Sequence, residues 1–312
     1  MSAAPSQKDA HIAALGAVMA GRDDVWCLDS DVGGYRTTLG ERFPDRYRDF
    51  GIAEATMIGA AGGLAATGQM PFAHSLAGFA AVRAFEQLKL DVVAPGLPVR
   101  VVATHSGLSA GHYGSSHHVC EDVAALRALP GLTVLTPADA VSTGLLVAAL
   151  ADHPGPAYLR LGRKAVPPVY PRDAVLRIGE AVRLAPGDDV TVLASGPVPV
   201  QVALAAHRAL AADGVGAGVL DVHTVAPLDT AAVVDAAVRS RLLVTVEDHS
   251  TVGGLGSAVA ETVAELAPCR VVRAGVTSPP AGGVGGHEEL LSRVGVSAAS
   301  LATTIRGALA RH

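Results

Sequence analysis

Residues 99–118, VRVVATHSGLSAGHYGSSHH, decide how this chain is expected to fold. The apolar, β-branched start of this stretch, 99–103, is typical of a buried strand. A glycine-rich loop with four histidines follows it directly. Because open parallel sheets bind ligands beyond the carboxyl ends of their strands, we expect this loop to form part of a functional site.

The rest of the chain alternates strands and helices in the same way. Short β-branched runs predict strands at 25–28, 99–103, 133–135, 158–161, 190–194, 218–222, 242–246 and 270–272. Alanine- and leucine-rich stretches predict helices at 54–67, 121–129, 198–212, 229–238, 257–266 and about 297–310. This alternation predicts an α/β fold with mostly parallel sheets, each covered by helices on both faces.

A proline-rich segment interrupts the alternation near the middle of the chain. Pro167, Pro168 and Pro171 lie there, and the next clean strand is predicted only at 190–194. We therefore predict a linker at 166–187 between a first domain, 1–165, and a second domain, 188–312. With 312 residues and 50% hydrophobic content, the chain is long enough to bury two cores.

Composition excludes several classes of function. The formal net charge is -5 and Lys and Arg do not form runs, which argues against nucleic-acid binding. Three cysteines without a paired spacing indicate neither a disulfide framework nor a zinc knuckle, and fit a reducing cytoplasm. No apolar stretch reaches the roughly 18 residues of a membrane span. We read the apolar segment 12–20 as part of the fold and not as a signal peptide, because it leads straight into a strand.

The order of these parts resembles a known family. GIAEATM at 51–57, an apolar run and then the loop 104–118 resemble the pyrimidine-binding half of transketolase-type, thiamine-diphosphate-dependent enzymes. HTVAPLD at 223–229 and EDHSTVGGLG at 247–256 resemble segments of split transketolases and of pyruvate-dehydrogenase-type β-subunits. The resemblance covers essentially the whole chain. It implies a pyrimidine-binding domain followed by a transketolase C-terminal domain.

The resemblance assigns five residues to the cofactor. Glu54 stands where the family has the acid that hydrogen-bonds a ring nitrogen of the aminopyrimidine, and Phe79 where an aromatic ring stacks against it. Leu76 and Val82 replace neighbouring side chains that are commonly aromatic, and Asp31 is also assigned to the cofactor. Taken alone, Glu54 would ordinarily be read as a helix-start acid near the positive end of the dipole, and packing of Phe79 in the core is the alternative for that residue.

The histidine loop is assigned to the substrate. The resemblance implies that His105 and His117 line the substrate channel, donate hydrogen bonds to sugar oxygens and move protons. Two other interpretations stay open from the residues alone. His117 and Cys120 could hold a metal ion on one helical face, although no regular ligand spacing supports it. The histidines could also be solvated residues at a helix N-terminus.

Departures from the family pattern bear on the substrate. Tyr113 replaces an Asp that reads a sugar hydroxyl in many members, and Tyr35 stands where a phosphate-binding Ser is common. Gln7 falls roughly where an Arg completes the phosphate site, whereas Arg163 matches a phosphate-contacting Arg. One match of three indicates an altered phosphate site. An unphosphorylated or carrier-tethered acceptor is the hypothesis this raises.

The segments that the chain lacks imply a partner. The family binds the diphosphate through a metal ion held by a Gly-Asp-Gly segment and an Asn, and this chain contains neither. We therefore expect no metal ligands in this chain. We expect thiamine diphosphate with Mg²⁺ or Ca²⁺ held by an N-terminal transketolase subunit, in an α2β2 heterotetramer that transfers a two-carbon ketol unit.

The alternatives are a 1-deoxyxylulose-5-phosphate-synthase-like enzyme, a pyruvate-dehydrogenase-type β-subunit or a non-catalytic structural subunit. The glycines of 247–256 are assigned to close packing and subunit contact.

Overall fold

The computed structural model of the protein describes residues 4–278 and 283–311. Two sheets form its centre, and helices cover them. The strands are β1 (Val25–Asp29), β2 (Tyr47–Asp49), β3 (Met70–Leu76), β4 (Arg100–Thr104), β5 (Thr133–Leu135), β6 (Ala157–Arg160), β7 (Val182–Ala185), β8 (Val190–Ser195), β9 (Ala217–Asp221), β10 (Thr224–Ala226), β11 (Leu243–Ser250) and β12 (Val271–Val276).

The helices pack on both faces of the sheets. They are α1 (Gln7–Gly21), α2 (Glu54–Ala66), α3 (Phe85–Gln87), α4 (Asp122–Arg127), α5 (Ala140–Leu150), α6 (Pro197–Ala211), α7 (Thr230–Arg239), α8 (Leu255–Leu266), α9 (His287–Arg293) and α10 (Ala298–Leu309). Wider π-helical turns flank α3, at Gly78–Arg83 and Leu88–Val93. Among the helices of the described ranges, none combines the length and apolarity needed to cross a bilayer.

The first sheet has seven strands in the order β10-β5-β6-β4-β3-β1-β2. All its pairings are parallel except that between β10 and β5. The register places Leu76, the last residue of β3, opposite Thr104, the last residue of β4. The loops that follow β1, β2, β3, β4 and β6 therefore meet at one edge of this sheet, where the predicted site residues lie.

The second sheet has the order β12-β11-β8-β9-β7, and only β7 runs antiparallel to its neighbour. The α/β prediction with mostly parallel sheets is confirmed. The prediction that the next strand after the prolines begins at 190 is wrong, because β7 lies inside the segment expected to be a linker. An edge strand as short as β7 gives little local signal, since its side chains are only partly buried.

The two halves of the chain share a sheet. Strand β10 follows β9 in sequence but pairs with β5 in the first sheet. The connection is reinforced where the backbone N–H of Thr136 donates to the carbonyl oxygen of His223 at 2.8 Å. The chain therefore crosses back to the first domain after the predicted boundary, a feature that no local pattern predicts.

Candidate active site

The loop after β4 is compact and partly strained. His105 adopts a left-handed backbone conformation with φ of 60°, which is uncommon for a residue other than glycine. The next residue is tied to the neighbouring strand, because the Ser106 hydroxyl donates to the carbonyl oxygen of Leu161 at 3.0 Å. The N–H of Val119 donates to the carbonyl oxygen of Gly107 at 3.1 Å, which closes the loop on itself. The two predicted histidines lie on this closed loop.

Tyr113 lies at the centre of the histidines. Its ring centroid is 3.8 Å from that of His112, 4.8 Å from that of His117 and 6.1 Å from that of His105. Tyr113 is 52% exposed, so much of the residue is open to solvent at this edge of the sheet. The structure thus brings together the three loop residues assigned to the substrate.

Glu54 and Phe79 form a second group beside the loop. Glu54 begins α2 and is only 2% exposed. Its Oε2 accepts from Arg83 Nη1 at 3.0 Å, and the guanidinium carbon of Arg83 lies 4.2 Å from the Phe79 ring centroid. The Phe79 ring meets His117 edge-on with centroids 5.3 Å apart. The residues assigned to the cofactor and those assigned to the substrate are therefore adjacent.

These side chains fit an aminopyrimidine. A carboxyl group held out of water makes a strong hydrogen bond to a ring nitrogen, and an aromatic face beside it suits a flat heterocycle. Arg83 is a site residue that the sequence reasoning missed. Its position four residues after Phe79 in a helical turn is the signal that could have indicated it.

The remaining residues assigned to the cofactor lie at the same edge. Leu76 ends β3 and is half-buried, and Val82 is exposed on the π-helical turn that carries Phe79. Asp31 is exposed in the loop after β1 and has φ of 59°. The roles of these three residues toward the cofactor stay predictions.

Arg163 lies in a cationic cavity of about 370 Å³ at the mouth of the loop. The pairing of β4 with β6 brings Arg163 beside His105. Polar residues that line this cavity are Ser6, Lys8, Asp9, Thr104, His105, Tyr113, Arg163 and Lys164, so its three basic side chains outnumber the single carboxylate. Lys8 and Lys164 are further residues that the sequence reasoning missed. The Arg163-Lys164 dipeptide directly after β6 could have indicated the second of them.

Tyr35 is not part of this cavity. Its side chain is fully buried, its ring centroid lies 4.1 Å from that of His74, and its hydroxyl has no hydrogen-bond partner in the part of the chain that the structure describes. In this arrangement Tyr35 cannot contact a substrate, contrary to its assignment.

Gln7 has a structural role beside the cavity. Its Nε2 donates to the carbonyl oxygen of Pro137 at 2.8 Å, and its Oε1 accepts from the N–H of Gly162 at 2.8 Å. The side chain is buried and fixes the backbone next to Arg163. A neutral amide in this position leaves the positive charge of the cavity to Lys8, Arg163 and Lys164.

The environment of His105 keeps its imidazole neutral. Burial, followed by the positive charges of Arg163 and Lys8, lowers the pKa of His105 to about 4. Its Nδ1 lies 3.1 Å from the Thr104 hydroxyl oxygen. A neutral imidazole has one donor and one acceptor nitrogen, so His105 is able to donate a hydrogen bond or take up a proton. Across residues 4–278 and 283–311, no three His, Cys, Asp or Glu side chains come close enough together to hold a metal ion.

The second domain reaches the back of the loop through a buried polar network. Arg160 pairs with Asp122 at 2.8 Å within the first domain and also donates to the carbonyl oxygen of Asp248 at 2.8 Å. The glycines of 247–256 support this packing, because a side-chain carbon at Gly254 would overlap the Glu247 carboxylate. The prediction of close packing is confirmed there, and the predicted subunit contact stays a prediction.

Comparison with known proteins identifies the family. The family model for the transketolase pyrimidine-binding domain matches residues 4–168, and that for the transketolase C-terminal domain matches residues 179–301. The chain is 40% identical over 256 residues to a 6-deoxy-6-sulfo-D-fructose transketolase subunit from Clostridium sp., with 81% of this chain and 79% of the relative covered. It is 37% identical over 254 residues to one subunit of an apulose-4-phosphate transketolase from Phocaeicola vulgatus, with 80% and 81% covered.

A solved structure extends the likeness to the whole fold. A split gene transketolase, described as an inactive beta4 tetramer, superposes with a TM-score of 0.88 at 36% identity, covering 98% of this chain and 99% of that one. The resemblance in the sequence is confirmed. By both family models and by relatives matched over most of their length, the chain belongs to the transketolase family and corresponds to the C-terminal subunit of its split members.

Proposed function

We propose that the protein transfers a two-carbon ketol unit from a ketose donor to an aldehyde acceptor, together with a separate N-terminal subunit. The observation that carries the proposal is the contact between Phe79 and His117, with ring centroids 5.3 Å apart. Phe79 lies beside Arg83, which is hydrogen-bonded to the buried Glu54 carboxylate, so this contact brings the histidine loop next to Glu54. The partner subunit would hold the diphosphate through Mg²⁺ or Ca²⁺, in an α2β2 assembly with the site between subunits. Three free cysteines support a cytoplasmic location.

Glu54 and Phe79 would hold the pyrimidine half of thiamine diphosphate. When bound, this cofactor supplies the nucleophilic carbon that takes up and passes on the two-carbon unit. Glu54 would hold a proton at the ring nitrogen, and its burial keeps water from competing for that hydrogen bond. Phe79 would orient the ring by stacking, with Leu76 and Val82 beside it and Asp31 on the neighbouring loop.

The histidine loop would act on the sugar. Because its pKa is about 4, His105 is neutral at physiological pH and would donate a hydrogen bond to a sugar oxygen. His117 would exchange protons with the sugar oxygens from its position between Phe79 and Tyr113. Tyr113 would supply its hydroxyl to a sugar oxygen where relatives have a carboxylate.

The cationic cavity supports a substrate with an anionic end. Lys8, Arg163 and Lys164 line it together, and Arg binds phosphate-like groups through paired hydrogen bonds. The two relatives act, by their names, on a sulfo sugar and on a sugar phosphate. We therefore favour a phosphorylated or sulfonated sugar over an unphosphorylated or carrier-tethered aldehyde. The charge of the three side chains replaces the contacts that Gln7 and Tyr35 do not make.

The experiment is a ketol-transfer assay with Mg²⁺ and thiamine diphosphate, using this protein alone and mixed with a transketolase N-terminal subunit. Activity in the mixture alone supports the proposal, and equal activity from the single chain contradicts the partner-held metal site. Glu54→Gln should lower kcat by about 10²–10⁴-fold in the mixture, whereas the exposed matched control Glu265→Gln should not. Calorimetric titration with thiamine diphosphate gives a second readout, since a fully active Glu54→Gln pair that also binds normally would refute the role of Glu54.

A further inference from the structure

Asp248 reaches from the second domain to the histidine loop of the first. It lies on β11 and is 3% exposed. Its Oδ1 accepts a hydrogen bond from the backbone N–H of Leu108 at 3.1 Å. Leu108 follows His105 by three residues, although Asp248 is 140 residues further along the chain. This contact fixes the loop from outside its own domain.

The carboxylate also lies flat against Gly107. A side-chain carbon at Gly107 would overlap the Asp248 carboxylate, so the backbone there approaches as closely as glycine permits. Gly107 has φ of 59° and accepts the hydrogen bond from Val119 that closes the loop. Val119 follows His117 by two residues. Holding Gly107 and Leu108 therefore constrains the backbone near both histidines.

Asp248 is itself held on several sides. Its Oδ2 accepts from His287 Nε2 at 2.6 Å, and its carbonyl oxygen accepts from Arg160 Nη2 at 2.8 Å. His287 and Arg160 are both buried, and Arg160 pairs with Asp122. Hydrogen bonds from a backbone N–H to an ionised carboxylate are roughly twice as strong as neutral ones, and burial removes competing water.

We propose that Asp248 is a positioning residue for ketol transfer, which makes the second domain a working part of the substrate site. It fixes the backbone of Gly107 and Leu108, and this holds the imidazoles of His105 and His117 in position to contact the sugar oxygens. A small displacement of substrate-binding groups costs up to about 100-fold in rate. The inference rests on the proposed function, because it assumes that these histidines bind the sugar.

The test compares three variants in the two-subunit enzyme. Asp248→Ala removes the acceptor for Leu108, whereas Asp248→Asn keeps an oxygen of the same reach and a group that can still meet His287. Glu247→Gln is the matched control, because Glu247 is the buried carboxylate next in sequence but accepts from Leu255 and Gly256 at the start of α8. We expect Asp248→Ala to raise KM for the ketose about 10–100-fold, Asp248→Asn to restore most of the loss, and Glu247→Gln to leave KM unchanged.

Hydrogen exchange of the isolated subunit supplies the second readout. Asp248→Ala should speed exchange at 105–119 and not within α8, and Glu247→Gln should do the reverse. Unchanged KM and exchange at 105–119 in Asp248→Ala would overturn the inference, as would a loss of activity that Asp248→Asn does not restore. If the wild-type mixture shows no ketol transfer while exchange changes as expected, the proposed function fails and the loop contact stands.

Discussion

Two histidines, one on the exposed loop and one in the domain interface, show how differently this fold uses the same side chain. His249 is 1% exposed, its Nδ1 donates to the carbonyl oxygen of Ser250 at 2.8 Å, and its Nε2 accepts from the N–H of Ala124 at 3.2 Å. His105 is half-buried, and within the described ranges only its Nδ1 has a hydrogen-bonding partner. Both nitrogens of the structural histidine are occupied, whereas His105 keeps one for a ligand.

The arginines of the two regions differ in the same way. Arg160 is buried, pairs with Asp122 and bridges to the second domain. Arg163, three residues later, is exposed in the cavity. Buried groups whose hydrogen-bonding atoms all have protein partners hold the domains together. Groups with free hydrogen-bonding atoms lie at the sheet edge. Apart from Asp248, whose carboxylate holds the histidine loop, changes in the first region should therefore alter mainly stability, and changes in the second should alter activity.

The largest expected effect is on the interface. Arg160→Leu leaves the Asp122 carboxylate buried without its partner, which should lower the free energy of unfolding by about 3–5 kcal/mol. Urea denaturation measures the loss. Arg163→Leu is the matched control and should change stability by less than about 0.5 kcal/mol. Equal losses of unfolding free energy in both variants would contradict the distinction between the interface and the sheet edge.

A substitution at His105 should separate activity from stability. His105→Gly removes the imidazole and should lower kcat/KM about 100-fold. It also relieves the left-handed backbone at φ of 60°, so the free energy of unfolding should rise by about 1 kcal/mol. Steady-state kinetics and thermal unfolding of the same preparations measure both. Should stability fall together with activity, His105 would belong with the structural histidines.

A substitution in the cationic cavity should change KM for anionic substrates only. Arg163→Gln removes a charge that would face the anionic end of the sugar, and should raise KM for phosphorylated or sulfonated ketoses about 10-fold. KM for an unphosphorylated ketose should not change. Equal increases for both classes would contradict a charge-specific role.

The smallest effect concerns pH. The folded pKa of His105 is about 4, below the value of 6.5 expected in the unfolded chain, so protonation favours unfolding. The stability contributed by neutral His105 is present above pH 6.5 and is lost as the pH falls towards 4. Thermal unfolding between pH 7.5 and 4 should therefore show a shallower acid decline in His105→Gln than in the wild type. Identical slopes would show that this imidazole titrates normally.

Local patterns predicted the elements with strong signals. The strand predicted at 99–103 became β4, Arg100–Thr104, and the helix predicted at 54–67 became α2, Glu54–Ala66. Strand β3, which pairs with β4, was missed. Both its faces are buried, so its sequence, MPFAHSL, shows no alternation of apolar and polar residues. Helix α1 was also missed, because its apolar residues do not concentrate on one face.

The placement of the candidate site residues was predictable where they follow a motif and not where it depends on distant contacts. His105, His117, Tyr113 and Arg163 meet as expected because each follows a parallel strand of one sheet. The burial of Tyr35 and the contact of Asp248 with Leu108 arise from packing between segments far apart in sequence. Pattern and spacing carry no information on such pairs, so these features needed the three-dimensional structure.

The return of β10 to the first sheet has a consequence for biosynthesis. A growing chain cannot complete that sheet when its first domain has left the ribosome, because the last strand, Thr224–Ala226, is made only after β8 and β9. Until then the edge of β5 offers unpaired backbone groups to other chains. A truncation that ends in the proline-rich segment would keep that edge permanently open, and such a fragment should aggregate even though its own core is intact.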